Sequence, residues 1–397
     1  MTKVKDKTAL VLDGNVVKVR LMAERQASNS MVHVDWLRFT VRLRNAPPFL
    51  TDKRATSTNI WDEGYRLNKL LSIINELPDH ERDACGQGSD LADRVCMALG
   101  FEFNRGTDVL KGHDFYKRRW PIQRNGAEVG WVGFGAASDS PKQRAQAESL
   151  HVNLYGVACT FAEHGWADRM ARIIDDLDGK ITRADLALDF FDGFAGGIER
   201  VSEEWKAGLC DNYGHRPVMR DINWLKGCSR SLYLGSKEAG KETNIYEKGD
   251  QLFGEKVGSK WLRFELRYGN KFRVLDTDLL RRPSDFFAGA SDWHAAILRE
   301  AGDVATPEQI HITPQPALMS VKAECVRNAL WTLESAAPSI ALAFQYLDDD
   351  QFLELVTHKK KPKRLSSFSH ADLTEAYSAA FSQFVVPRSG PVAQSLQ

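Results

Sequence analysis

The sequence lacks several features that would place it in a common class of protein. Lys and Arg total 53 and so do Asp and Glu, and this zero net charge argues against a general nucleic-acid coat. The six cysteines, at positions 85, 96, 159, 210, 228 and 325, have no metal-ligand spacing and indicate reduced thiols. No run approaches the ~18 apolar residues of a membrane span, and MTKVKDKT at the start contains no apolar signal core. We therefore expect a cytoplasmic protein outside the membrane.

The common catalytic motifs are absent as well. The sequence contains no G-x-S-x-G, no Walker A loop and no H-E-x-x-H. It also lacks a His-hydrophobic-His pair, and His151 and His311 stand as single histidines within strand-like segments. A protein without a P-loop cannot separate DNA strands with ATP by itself, so any unwinding must come from a partner.

Three segments alternate between apolar and polar residues with the period of two that is typical of β-strands. They are residues 181–190 (ITRADLALDF), 244–248 (NIYEK) and 261–267 (WLRFELR). The polar positions include Arg183, Asp185 and Asp189, then Tyr246 and Lys248, then Arg263, Glu265 and Arg267. This pattern predicts a half-buried antiparallel sheet whose polar face gathers a tyrosine, a lysine and three carboxylates.

Two interpretations of this polar face are open. In the first, a tyrosine attacks a phosphodiester, a lysine favours its phenolate, and Asp185, Asp189 and Glu265 hold Mg²⁺ or Mn²⁺. In the second, arginines neutralise the acids across the strands of a solvated sheet. Tyr246 has a lysine two residues further on, and the rival nucleophile Tyr233 does not.

Five pieces of the sequence, in this order, resemble the replication initiation factor family (Rep_trans) of rolling-circle plasmids and filamentous phages. They are VDWLRFTV at 34–41, HVNLYGVAC at 151–159, ITRADLALD at 181–189, SLYLGSKEAGKETNIYEKG at 231–249 and WLRFELR at 261–267. The sequence departs from the family pattern at Tyr155, where relatives tend to have a small hydroxyl residue. It also departs at Asn244, where an arginine is common, which weakens any fixed cationic phosphate clamp there.

The resemblance implies a fold and an activity. The expected fold is α+β, a curved and mainly antiparallel sheet with a polar catalytic face, helices on the other face and duplicated units like those of the TATA-binding protein. The expected activity is metal-dependent nicking and rejoining of one DNA strand at an origin, which starts rolling-circle replication. Tyr246 would form the 5′-phosphotyrosine, with Lys248 beside it and Mg²⁺ or Mn²⁺ as cofactor.

The resemblance also implies partners and alternatives. The partners are the replication origin, as single- and double-stranded DNA, a host helicase, a host polymerase and, as an option, a second copy of the chain. The alternatives are a conjugative relaxase with the same chemistry and a DNA-binding regulator that has the fold but does not nick.

Three basic regions are candidates for contact with DNA. They are Arg183, Arg263 and Arg267 on the polar face, Tyr116, Lys117, Arg118 and Arg119 within FYKRRW, and Lys359, Lys360 and Lys361 in a lysine run. The alternative for the second region is a strand with a basic edge. The alternative for the third is a solvated tail.

The pattern along the chain predicts four regions. Residues 1–30 form an extension with a hairpin turn at 13–14 (DG), and residues 31–275 form the catalytic nicking domain. Residues 276–356 are helical, and residues 357–397 form a basic, disordered tail.

Local signals add detail to the predicted catalytic domain. Ser89 is the expected N-cap of a helix that ends at Leu99, and residues 125–126 (NG) predict a tight turn between strands. The periodicity of residues 158–177 predicts one long amphipathic helix. Asp35 is expected to have a structural role.

Overall fold

A computed structural model gives the structure of the protein. It describes residues 14–28, 30–47, 60–138, 143, 146–212, 214–302, 307–312, 325–326, 328–329, 331–357, 373–374, 376–378 and 380. The chain divides into two compact units, residues 1–313 and 314–397. Among the described residues, no helix has the length and apolar character that a membrane crossing requires.

The first unit is built on one antiparallel sheet of 11 strands. The strands are β1 (Val32–Arg42), β2 (Phe103–Arg105), β3 (Leu110–Lys111), β4 (Tyr116–Arg124), β5 (Ala127–Ala136), β6 (Ser149–Leu154), β7 (Lys180–Phe190), β8 (Met219–Ile222), β9 (Ser231–Ser236), β10 (Lys241–Glu247) and β11 (Leu262–Gly269). Their order is β2-β4-β5-β6-β1-β7-β11-β10-β9-β8, with β3 beside β4. The predicted α+β class with a large antiparallel sheet is therefore confirmed.

The sheet consists of two halves with the same strand order. In one half, β1 lies at the centre, the last strand β6 pairs with it, and β5, β4 and β2 follow outward. In the other half, β7 lies at the centre, and β11, β10, β9 and β8 follow in the same way. The two central strands, β1 and β7, pair antiparallel to each other. The repeated strand order agrees with the duplicated units that the family resemblance implies.

Helices cover the apolar face of the sheet and one of its ends. They are α1 (Gly14–Ser28), α2 (Ile60–Glu76), α3 (Asp79–Leu99), α4 (Gly156–Phe161), α5 (Trp166–Asp176), α6 (Gly197–Lys206), α7 (Lys248–Phe253), α8 (Asp278–Arg281), α9 (Pro283–Ala288) and α10 (Asp292–Glu300). Helix α3 packs on β4 and β5, α6 on β9 and β10, and α9 on β1. The apolar positions of β7 (Ala184, Leu186 and Leu188) are fully buried in this core, where burying a large aliphatic side chain contributes roughly 1.5–3 kcal/mol.

Two local predictions about helices were wrong. In both cases a residue that usually ends or caps an element belongs to a helix that packs in the core. Gly14 begins α1 instead of closing a hairpin, and α1 packs against α4, α7 and β1. Ser89 lies in the middle of α3, which begins ten residues earlier, after Pro78. The neighbouring Gly88 lies against the ring of Trp120, which packs on α3 at this point.

The predicted turn at residues 125–126 is present. Asn125 and Gly126 have φ values of 51° and 76°, and they join β4 to β5, with Arg124 opposite Ala127. Positive φ at both positions is what a type I′ hairpin requires. The predicted helix over 158–177 forms as two helices, α4 and α5.

The second unit is described only in part. It contains a π-helical turn (Thr332–Ala336), α11 (Ala337–Tyr346) and α12 (Asp349–Val356). Asp348 and Gln351 form a capping box that begins α12. A small core joins Cys325, Ala329, Leu373, Ala376 and Ala380.

Candidate active site

The pairing of the central strands brings most of the predicted catalytic residues together. Tyr246 on β10 lies opposite Arg263 on β11, and Arg263 lies opposite Asp189 on β7. Glu265 is two residues along β11 from Arg263, on the same polar face. The alternation in the sequence placed these side chains on one face, and the strand register places them within one site.

Tyr246 is hydrogen-bonded to a carboxylate. Its ring is half-buried, and its hydroxyl donates to Glu265 Oε2 at 3.1 Å. Burial raises the pKa of Tyr246 well above its ordinary value, so the free protein holds a neutral phenol at pH 7. Burial and repulsion from Asp35 and Asp185 raise the pKa of Glu265 to about 7. The pair is therefore a phenol next to a base that titrates near neutral pH.

Arg263 is the central cation of this site. Its side chain is 1% exposed, and its guanidinium donates to both carboxylate oxygens of Asp189, at 2.7 and 2.9 Å. A third bond, 2.8 Å long, runs to Asp35 Oδ1. Burial is the largest single effect on Asp35 and Asp189 and opposes their charge, but Arg263 together with the other basic neighbours outweighs it and lowers the pKa of both. In turn the two carboxylates raise the pKa of Arg263 against the effect of its own burial.

A β-bulge brings Asp35 into the site. The pairing of β1 with β7 shifts register between Val34 and Trp36, and Asp35 is the extra residue between them. A bulged residue leaves the ladder and turns its side chain in a new direction. The strand alternation gave no signal of this bulge, and the structure shows Asp35 holding the buried arginine.

Lys248 lies beside Tyr246, although it is not on the same strand. It is the first residue of α7, its ammonium is 5.6 Å from the centre of the Tyr246 ring, and it donates to Gln251 at 3.0 Å. Burial and the neighbouring Arg263 lower the pKa of Lys248. We refer to Tyr246, Glu265, Arg263, Asp35, Asp189 and Lys248 together as the Tyr246 site.

The predicted metal ligands are bound by arginines. Asp189 is held by Arg263, and Asp185 accepts from Arg183 and, at 3.3 Å, from Arg267. Among the described residues, no group of three His, Cys, Asp or Glu side chains is arranged to hold a metal ion. The set Asp185, Asp189 and Glu265 therefore does not fit one ion in this arrangement, and its role in metal binding stays a prediction.

Two further residues of the site, His33 and Trp261, were not among the predicted site residues. His33 is 8% exposed, and its Nε2 lies 3.8 Å from Asp35 and 3.9 Å from Asp189. The indole of Trp261 donates to Asp189 Oδ1 at 2.6 Å. Both residues lie next to the buried carboxylates, and only the register of non-adjacent strands reveals this.

The rival tyrosine lies two strands from the centre of the Tyr246 site. Tyr233 on β9 faces Asn244 on β10, and the guanidinium of Arg220 lies 5.5 Å from its ring. Unlike Tyr246, Tyr233 has no carboxylate bonded to its hydroxyl within the part of the chain that the structure describes.

The predicted DNA-binding residues have different environments. Arg183 and Arg267 are partly exposed on the polar face, whereas Arg263 is buried. On β4, the Tyr116 ring is buried, Lys117 and Arg118 pair with Glu81, and Arg119 pairs with Glu128. The run Lys359, Lys360 and Lys361 lies outside the described residues.

Part of the chain is similar to known replication initiators. The model of the replication initiation factor family (Rep_trans) matches residues 179–354. No curated protein matches the sequence. Among solved structures, the rolling circle replication initiator protein from Geobacillus stearothermophilus matches with a TM-score of 0.39 and 16% identity, over 70% of this chain and 99% of that one.

The family match includes β7, β10 and β11, which carry Tyr246 and its neighbours. The resemblance inferred from the sequence is therefore confirmed: residues 179–354 match the replication initiation factors.

Proposed function

We propose that the protein nicks one DNA strand at a replication origin and rejoins it, with Tyr246 as the nucleophile. The observation that carries the proposal is the hydrogen bond from the Tyr246 hydroxyl to Glu265. It pairs a phenol with a carboxylate whose pKa, raised to about 7, suits a general base at neutral pH. The family match over residues 179–354 supports an origin of replication as the substrate.

Each group in the Tyr246 site has a task in this reaction. The Tyr246 oxygen attacks phosphorus and its proton passes to Glu265. The bond from phosphorus to the 3′ oxygen breaks, the 5′ phosphate stays on Tyr246, and the departing 3′ oxygen takes a proton. Lys248 stabilises the charge that develops on the phosphoryl oxygens, and Arg263 stabilises the phenolate. The reverse reaction, by a 3′ hydroxyl, rejoins the strand.

The requirement for Mg²⁺ or Mn²⁺ remains part of the proposal. Of the three predicted ligands, Asp185 and Asp189 accept from arginines, and Glu265 accepts from Arg267 and from the Tyr246 hydroxyl. A divalent ion supplies Lewis acidity toward a phosphoryl oxygen when bound. Asp185 and Asp189 would have to exchange an arginine for the ion.

The test compares two conservative variants on a supercoiled plasmid that carries the cognate origin. Tyr246→Phe keeps the ring and removes the attacking oxygen, so it should abolish nicking and the covalent protein–DNA adduct while origin binding persists. Tyr233→Phe is the matched control and should nick like wild type. An adduct formed by Tyr246→Phe but lost in Tyr233→Phe would transfer the nucleophile to Tyr233. Origin binding by wild type without any nicking would instead identify a non-catalytic regulator.

A further inference from the structure

A second site lies on the polar face, at the opposite end of the central strands from Tyr246. It is a cavity of about 380 Å³ between β1, β6, β7, β11 and the turn that joins β9 to β10. Its lining includes the basic side chains Arg38, Arg183, Lys237 and Arg267. We refer to this cavity as the basic pocket.

The charge in the basic pocket is mainly positive. Its lining contains five basic residues and a single carboxylate, Asp114, which pairs with Arg38 at 3.1 Å. Burial lowers the pKa of Arg38, Asp114 raises it, and the neighbouring Arg183 lowers it further. Arg183 and Arg267 both contact the same carboxylate, Asp185. An anion in the cavity would relieve this crowding of guanidinium groups.

A buried histidine offers a hydrogen bond to such an anion. His151 is 7% exposed, stacks on Tyr116 and lies 3.1 Å, through Nδ1, from the Thr40 hydroxyl. Burial and Arg38 lower the pKa of His151 to about 4, so its ring is neutral at pH 7. Nε2 has no partner among the described residues, and it carries the hydrogen in the tautomer in which Thr40 donates to Nδ1. A buried donor without an acceptor is costly unless a ligand supplies one.

We propose that the basic pocket binds a phosphate group of the DNA strand whose scissile phosphate lies at Tyr246. This inference rests on the proposed nicking function, because that function places a strand on this face. Arg267 is four residues along β11 from Arg263, or about 14 Å at ~3.4 Å per residue. That distance spans at most about four phosphates of a stacked strand, at about 3.4 Å each. The pocket therefore holds the strand a few nucleotides from the cut.

The polar face links the two sites directly. Arg267 lines the basic pocket, and its Nη2 donates to Glu265 Oε1 at 3.1 Å, while Glu265 accepts from Tyr246. A phosphate that draws Arg267 toward the pocket weakens its hold on Glu265. Correct seating of the strand is thus connected, through one arginine, to the base that activates the nucleophile.

The experiment measures binding without cleavage, in protein that carries Tyr246→Phe. A fluorescent single-stranded oligo-dT is titrated at several salt concentrations and its anisotropy is recorded. Arg38→Gln and the exposed Lys237→Gln should each weaken binding and reduce the slope of log affinity against log salt by about 0.7 for each lost phosphate contact. Arg172→Gln is the matched control. It removes an exposed arginine of α5, outside the pocket, and should leave the slope unchanged.

Two outcomes would decide against the proposal. Unchanged slopes in both pocket variants would mean that no strand phosphate enters the pocket. Thermal stabilisation by inorganic phosphate that needs Arg38, together with unaltered binding of oligo-dT, would assign the pocket to a free phosphate compound. The nicking proposal is judged separately: if Tyr246 forms the adduct and the slopes do not change, the pocket assignment fails alone. If the slopes change and wild type never nicks, the nicking proposal fails alone.

Discussion

The two ends of the polar face are opposite in their electrostatics. At the Tyr246 site, carboxylates crowd together, and their repulsion helps to raise the pKa of Glu265 to about 7. At the basic pocket, guanidinium groups crowd together, and their repulsion helps to lower the pKa of Arg38. The net charge of the chain is zero, yet one sheet face carries mainly carboxylates at one end and mainly guanidinium groups at the other. Overall charge therefore says little about nucleic-acid binding when a single face can carry both a reactive acidic end and a basic anchoring end.

Removal of divalent metal should have the largest effect, and it tests whether the acidic end of the face needs a cation to act. We expect nicking of origin plasmid to fall to background in chelator and to return with Mg²⁺ or Mn²⁺. The reason is that a divalent ion would neutralise the charge that develops on the phosphoryl oxygens of the scissile phosphate. Glu265→Gln and Asp189→Asn should raise the metal concentration needed for cleavage. Full activity in chelator would return Asp185 and Asp189 to a purely structural role as partners of arginines.

Glu265→Gln also tests whether the acidic end acts as a base. The amide can still accept a hydrogen bond from Tyr246 but cannot take its proton. We expect single-turnover nicking at saturating metal to slow by roughly 10²–10⁴-fold, the usual contribution of a general base. In wild type the rate should rise with pH as Glu265 ionises, and a metal ion bound at this carboxylate would move that rise below the pKa of about 7 of the metal-free site. The same pH profile in Glu265→Gln would show that another group accepts the proton.

Arg263→Gln should destabilise the protein, because it leaves two buried carboxylates without their cation. Breaking a buried ion pair from one side costs roughly 3–5 kcal/mol, and both Asp35 and Asp189 lose a partner here. Unfolding by urea measures the change. Arg172→Gln is the control, since this exposed helical pair should contribute at most about 1 kcal/mol. Equal effects of the two substitutions would show that Arg263 is not the cation that stabilises the acidic end.

The smallest expected effect concerns pH and stability. Glu265 has a folded-state pKa of about 7 against an ordinary 4.5, so between these values the folded protein retains a proton that the unfolded chain releases. The free energy of unfolding should therefore fall as pH rises from 4.5 to 7, by about 1.4 kcal/mol per pH unit at most. Asp35 and Asp189 act in the opposite sense, and their contribution is lost only on acidification below their ordinary pKa. The decline should be absent in Glu265→Gln; its persistence there would assign it to another group.

The sequence predicted the elements that have a strong local signal. The alternation in residues 181–190 and 261–267 correctly assigned β7 and β11 and their polar faces. Asn125-Gly126 correctly marked a hairpin. Ser89 and the predicted hairpin at residues 13–14 were misread, because small and polar residues that usually end or cap an element lie inside or at the start of helices here.

By itself, the sequence determined which side chains share a face, because the period of a strand is a property of neighbouring residues. It also determined the resemblance to replication initiation factors, which the match over residues 179–354 bears out. Only the tertiary structure decided which charges meet. The register placed Arg263 between Tyr246 and Asp189, and a bulge added Asp35. These partners come from strands far apart in the chain. Their pKa values depend on burial, and the helices and strands that bury them are not specified by any local pattern.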